Sequence, residues 1–154
     1  MSTASRSPNV RALRIAQVVD TLEIGGLESV AVGLANALAD RGQASALLST
    51  RRDGPLLQQL SPSVEHACAR RTSTLDPLGM ARVARWLRRF RPDVVHAHDL
   101  GSASLMWTVL RALRHPAALV MHDHNGPRIG RPLSQRESWI LPRLEAYVAA
   151  GVQV

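Results

Sequence analysis

Apolar positions along this chain switch repeatedly between short continuous runs and stripes at helical spacing. The first run, Ile15 to Val19, leads into a loop with paired glycines, Gly25-Gly26, and then into an amphipathic segment. Read throughout in this way, the pattern predicts strands near residues 14–19, 44–49, 63–67, 93–97, 118–122 and 151–154. Helices are predicted near 27–41, 54–60, 77–90, 101–114 and 133–147. The boundaries have mechanisms: Asp76 is a good N-cap ahead of Pro77, Gly42 stops a helix with a basic last turn, and Pro92 and Pro116 follow helix ends. The runs at 93–97 and 118–122 are continuously apolar, as in strands whose two faces are both covered. Strand and helix in alternation, with short connections, predict a doubly wound α/β domain: a mostly parallel, Rossmann-like sheet with helices on both faces.

Residues 1–12 show no periodicity and are expected to be a disordered lead-in to a domain spanning 13–154. The last residues, Ala149 to Val154, read as the opening of another core strand. Domains ordinarily end in loosely tied segments, so the chain is expected to be one part of a longer protein.

Composition narrows the function classes. All 19 basic residues are arginine, and the net charge is +7 with a pI near 11.4. The densest group, Arg82, Arg85, Arg88, Arg89 and Arg91, lies on the polar side of a helix whose apolar positions are Met80, Val83, Ala84, Leu87 and Phe90. Such a face is solvated or touches an anionic membrane surface. With five aromatics in the whole chain, little is available for base stacking, and nucleic acid is not expected as a partner. No stretch is apolar enough for a membrane span or a signal peptide, so the expected location is cytoplasmic, with peripheral contact on the inner face of the membrane as the alternative. The lone Cys68 reads as a small buried apolar residue.

Ligands of doubly wound sheets bind beyond the carboxyl ends of the strands. Three features converge there: Gly25-Gly26 after the first strand, His96-Ala97-His98-Asp99 at the end of the fourth, and His122-Asp123-His124-Asn125-Gly126 at the end of the fifth. Glycine at a strand-to-helix junction allows an anionic group to approach the unpaired N–H groups of the helix start. A dinucleotide fingerprint is not met, because the third glycine is missing, and a P-loop is excluded by the lack of lysine. The His-x-His pairs with adjacent aspartates are also compatible with zinc or iron in a metal-dependent hydrolase. A non-catalytic acceptor-binding module is a further alternative. His122 stands where an apolar strand turns abruptly polar and is read as functional; His66 and His96 are read as structural, and His115 as exposed.

The segments "RIAQVVDTLEIGGLESVAVGLANALADRG", "PDVVHAHDLGSA" and "ALVMHDHNG" occur in order and at suitable spacing. Together they resemble the N-terminal, acceptor-side domain of family-four retaining glycosyltransferases of the GT-B fold, over residues 13–154. The resemblance implies transfer of a sugar from a nucleotide-diphosphate sugar to a glycan, lipid-linked or small-molecule acceptor, with retention and with no cofactor or metal. It further implies that Gly25 and Gly26 lie against the donor diphosphate and the acceptor, with Glu28 ordering the loop. His122 would stand beside the transferred sugar as the catalytic histidine, and His98, Asp99, Asp123 and His124 would line the acceptor side. The family's donor-binding C-terminal domain has no counterpart here, so catalysis by this chain alone is not expected.

Overall fold

A computed structural model describes residues 11–124. Its elements follow in the order β1 (Arg14–Thr21), α1 (Gly26–Asp40), β2 (Ala44–Arg52), a short 3-10 turn (Pro55–Gln59), β3 (Glu65–Cys68), α2 (Pro77–Phe90), β4 (Val94–Ala97), α3 (Leu100–Leu113) and β5 (Ala118–Met121). The five strands form one sheet in the order β3-β2-β1-β4-β5, and every pairing is parallel. This is a Rossmann-like α/β domain. The strand order reverses between β1 and β4, where ligand crevices of such sheets open.

Each face has its own apolar layer. Ala16, Val18, Ala46, Leu48 and Val95 pack under α2 and α3, through Val83, Leu87, Met106 and Leu110. Val19 and Leu47 pack on the other face against Ala31, Val32 and Ala35 of α1 and Leu56 of the 3-10 turn. Trp86, on the buried side of α2 although absent from the expected stripe, stacks on Phe90 with ring centroids 5.3 Å apart. Its Nε1–H donates to Glu65 across the edge of the sheet (3.2 Å).

The expected helix ends are present. Asp76 accepts from the N–H groups of Leu78 and Gly79 and from Thr72. The Gly79 bond and then the Thr72 bond hold its carboxyl down at about 2. Gly42 follows α1 at φ +76°, a conformation glycine adopts without cost. The helix expected at 54–60 is only a single 3-10 turn, because Pro55 and the close crossing of Gly54 over the first loop leave no room for more. A Cβ on Gly54 would come within 2.7 Å of the Glu23 nitrogen, so glycine here lets the two loops touch.

Several expectations change. Arg11, assigned to the lead-in, donates to Asp93 at 2.6 Å. Cys68 is half-buried, since β3 is an edge strand whose four residues are all partly exposed. His115 is half-buried too, and its Nδ1 accepts from the Ala117 N–H (3.2 Å). The expected helix 133–147, the strand 151–154 and Asn125-Gly126 lie outside the described residues. Among the described residues, no helix is long and apolar enough to cross a membrane.

Candidate functional site

Register brings the polar corners together. His96 pairs with Gln17 of β1, and Ala97 pairs with Met121 of β5, so His98 and His122 emerge next to each other where the two strands end. Alternation then turns His96, His98 and Gln17 toward the face that carries α1. The backbone continues the ladder past the strands: the His98 N–H donates to Val18, and the His122 N–H donates to Ala97.

Four imidazoles cluster at this edge. His98 packs against His96 (centroids 4.3 Å apart) and His124 (5.3 Å), His122 against His124 (4.0 Å), and His96 stacks on His122 (5.8 Å). His98 is fully buried, His96 and His124 are half-buried, and His122 is exposed. The hydrogen bonds of His98 set its tautomer. Its Nε2 lies 2.7 Å from Oε1 of the buried Gln17, which can only accept, so Nε2 carries the proton. Nδ1 is then the acceptor for the Nε2–H of His124, 3.0 Å away.

Three members of the cluster, His96, His98 and His124, are held neutral. Burial first, then the neighbouring imidazoles His96, His124 and His122, push His98 down to about 3. Burial lowers His96 as well, aided by His122 and His124. His124 is also lowered, chiefly by burial and His122, while Asp123, Glu28 and Asp99 pull in the opposite direction. Because β1, β4 and β5 lie side by side and parallel, the loop that leads from β1 into α1 leaves the sheet at the same edge as the ends of β4 and β5. All three expected corners therefore meet at one rim.

At the glycine loop, Gly25 is the N-cap of α1 with no side-chain hydrogen bond at the cap, and its carbonyl accepts from the N–H and hydroxyl of Ser29. The Glu28 carboxylate lies against the Gly25 Cα, so a Cβ there would have to displace the end of that side chain. Gly26 has open space where a Cβ would stand, so a ligand can approach its backbone. Asp99, expected on the acceptor side, is the N-cap of α3: its two carboxylate oxygens accept from the N–H (2.8 Å) and hydroxyl (2.7 Å) of Ser102. Its first task is structural. His66 takes a structural partner as expected, Asp53, at 2.9 Å.

Gln17 was not singled out by sequence, although a glutamine inside the run Ile15 to Val19 signals a buried polar partner. His96 belongs to the cluster rather than to the scaffold. Ligand atoms of His96, His98 and His122 lie within 4.8 Å of one another, close enough for a metal ion after small side-chain movements. A metal at His98 Nδ1 would have to displace His124, while Gln17 already orients the ring as an outer partner would.

The family described as Glycosyltransferase Family 4 matches residues 24–151. No curated protein matches the chain.

Proposed function

Because the chain belongs to Glycosyltransferase Family 4, we propose that it is the acceptor-side half of an enzyme that moves a sugar from a nucleotide-diphosphate donor to an acceptor hydroxyl with retention. A second, donor-binding domain completes the cleft. In this reaction the bond from the anomeric carbon to the diphosphate oxygen breaks and its electron pair leaves with the diphosphate. The acceptor oxygen bonds to the same carbon, and its proton passes to the departing oxygen.

The observation that carries the reading is the convergence of the glycine loop, His98 and the His122–His124 pair on one rim at the strand-order reversal. Each part has a chemical task. Backbone N–H groups at the start of α1 stabilise charge that develops on the diphosphate, in an arrangement fixed before the reaction. His122, the exposed member of the cluster, donates to or accepts from a hydroxyl of the transferred sugar. Depressed basicity in His96, His98 and His124 keeps three imidazoles uncharged near neutral pH, so they do not repel a carbon that becomes cationic. Gln17 and His124 hold His98 from both sides and so position the pair beside it.

The test is His122→Ala in the complete enzyme, with transfer to acceptor followed directly. A large loss of turnover with unchanged melting temperature is expected, and near-normal turnover overturns the role. The proximity of His96, His98 and His122 favours a metal-dependent hydrolase as the second reading. Stoichiometric zinc or iron after purification, with activity lost to a chelator, would replace the first reading with this one.

A further inference from the structure

We propose that Arg51, Arg52 and Arg71 form a binding site for a phosphate group of the acceptor substrate. The word acceptor rests on the glycosyltransferase reading; the anion site itself rests on the side chains. A cavity of about 490 Å³ opens at the carboxyl edge, away from the histidines, lined by these arginines with Asp20 and Thr21. It lies beside the glycine loop, to which Arg52 is tied by an ion pair with Glu23 at 3.2 Å.

Arg71 is the unusual member. Its side chain is 3% exposed, its Nε has no hydrogen-bond partner, and its nearest anion is Asp20, only at 3.4 Å. The Nε of Arg51 is likewise buried and unpartnered, also 3.4 Å from Asp20. That single carboxylate already accepts from the Thr50 hydroxyl at 2.5 Å. One carboxylate therefore serves two guanidinium groups at long range, which leaves the charge of the buried Arg71 undercompensated, while the Arg51 side chain is 38% exposed. A tetrahedral oxyanion between the guanidinium forks supplies the missing charge and acceptors.

The site is also built rather than incidental. The Arg71 N–H donates to Thr50, extending the pairing of β3 beyond its end. Arg70 adopts φ +49°, a conformation uncommon for a non-glycine residue, at the turn that directs Arg71 inward. A Cβ on Gly79 would come within 2.9 Å of the Arg71 Cβ and Cγ, so glycine in the first turn of α2 makes room for that side chain.

Such a phosphate belongs to a soluble acceptor or to a lipid-linked one. Leu75 (84% exposed) and Leu78 (67% exposed) follow Arg71 closely along the chain, where the tail of a lipid-borne phosphate would find apolar contact.

The experiment is calorimetric titration of the chain with inorganic phosphate, with sedimentation on phosphatidylcholine vesicles, with and without phosphatidic acid, in parallel. Saturable phosphate binding is expected, weakened roughly tenfold or more by Arg51→Gln or Arg52→Gln, as the loss of one charge-assisted hydrogen bond implies. Arg71→Gln should weaken it further, and the two less buried positions keep the test valid if that variant does not fold. Arg88→Gln removes the same charge from the opposite edge of the sheet and should leave binding unchanged. No saturable binding, or equal weakening by Arg88→Gln, overturns the site. Sedimentation that requires phosphatidic acid and is lost in Arg51→Gln and in Leu75→Ser assigns the lipid source; phosphate binding without sedimentation assigns the soluble one. Transfer by the complete enzyme without phosphate binding by the chain overturns this assignment alone, and phosphate binding by the chain without transfer by the complete enzyme overturns the glycosyltransferase reading alone.

Discussion

The two ends of the sheet handle polar side chains in opposite ways. At the amino edge, a cavity of about 700 Å³ is lined by Arg11, Arg14, Arg88, Arg89, Arg91 and Arg114, the densest positive charge among the described residues. Among the arginines there, Arg11 pairs with Asp93, Arg14 donates to the Phe90 carbonyl and lies over the Phe90 ring, and Arg89 pairs with Glu65. At the histidine corner of the carboxyl edge, side chains are instead buried and interlocked, with His98 enclosed between Gln17 and His124. Charge density alone would direct attention to the amino edge, away from the proposed site. Burial of polar groups that hold one another, at the reversal of strand order, is the more informative sign.

The comparison breaks most readily at His122. If the carboxyl edge is the working one, His122→Ala in the complete enzyme lowers turnover by roughly 10²–10³-fold, the range for losing one preorganised hydrogen bond at a reacting centre. Because the side chain is exposed, its effect on stability should stay within about 0.5 kcal/mol in a denaturant melt. His98→Ala should behave differently. It opens a cavity and strands the Gln17 amide, with a cost of roughly 3 kcal/mol in the same melt. Equal stability losses at the two positions would remove the distinction between an exposed working residue and a buried positioning one.

Acid sharpens the contrast. His98 is held far below its ordinary value of 6.5, at about 3, so the unfolded chain takes up a proton that the folded one refuses. The contribution of His98 to stability is complete above pH 6.5 and is lost as pH falls from there toward 3, on the order of 1 kcal/mol per pH unit. His96 and His124, shifted in the same direction, steepen the slope. A flat stability profile between pH 6.5 and pH 4 would mean that the imidazoles are not enclosed as described. Smaller still, Asp99→Ala removes the N-cap of α3 and should cost about 1 kcal/mol. At the other edge, Arg88→Gln should alter neither stability, beyond about 0.5 kcal/mol, nor turnover. A larger effect there would reinstate the amino edge as a functional surface.

Much of the fold was legible because local rules and tertiary packing agree. The Asp76–Pro77 start and the Gly42 stop each correspond to a boundary found in the structure, and a strand stands at Val94–Ala97, although His96 interrupts its apolar run and its burial alternates. The 3-10 turn at Pro55–Gln59 was overestimated as a helix because apolar Leu56 and Leu57 occur at a spacing that fits either. At the site, the histidines were visible as an abrupt polar ending to apolar strands. Their division of labour was not, since Asp99 and His124 are equally polar in sequence, but Asp99 spends its carboxylate on a helix end while the His124 imidazole bonds His98. Gln17 and Arg71 escaped notice for the same reason: what distinguishes them is enclosure by residues distant along the chain.

Periodicity, capping residues and glycine positions by themselves determined that this chain alternates strands and helices, and that its polar corners fall at strand ends, because those features act over a few neighbouring residues. Strand order and register were decided only in three dimensions. They depend on which strands lie side by side, and that joins Gln17 to His98 across 81 positions and Asp20 to Arg71 across 51. Whether a polar side chain is a solvated ornament, a helix cap or part of a site follows from that packing, since desolvation is set by neighbours the local sequence does not name.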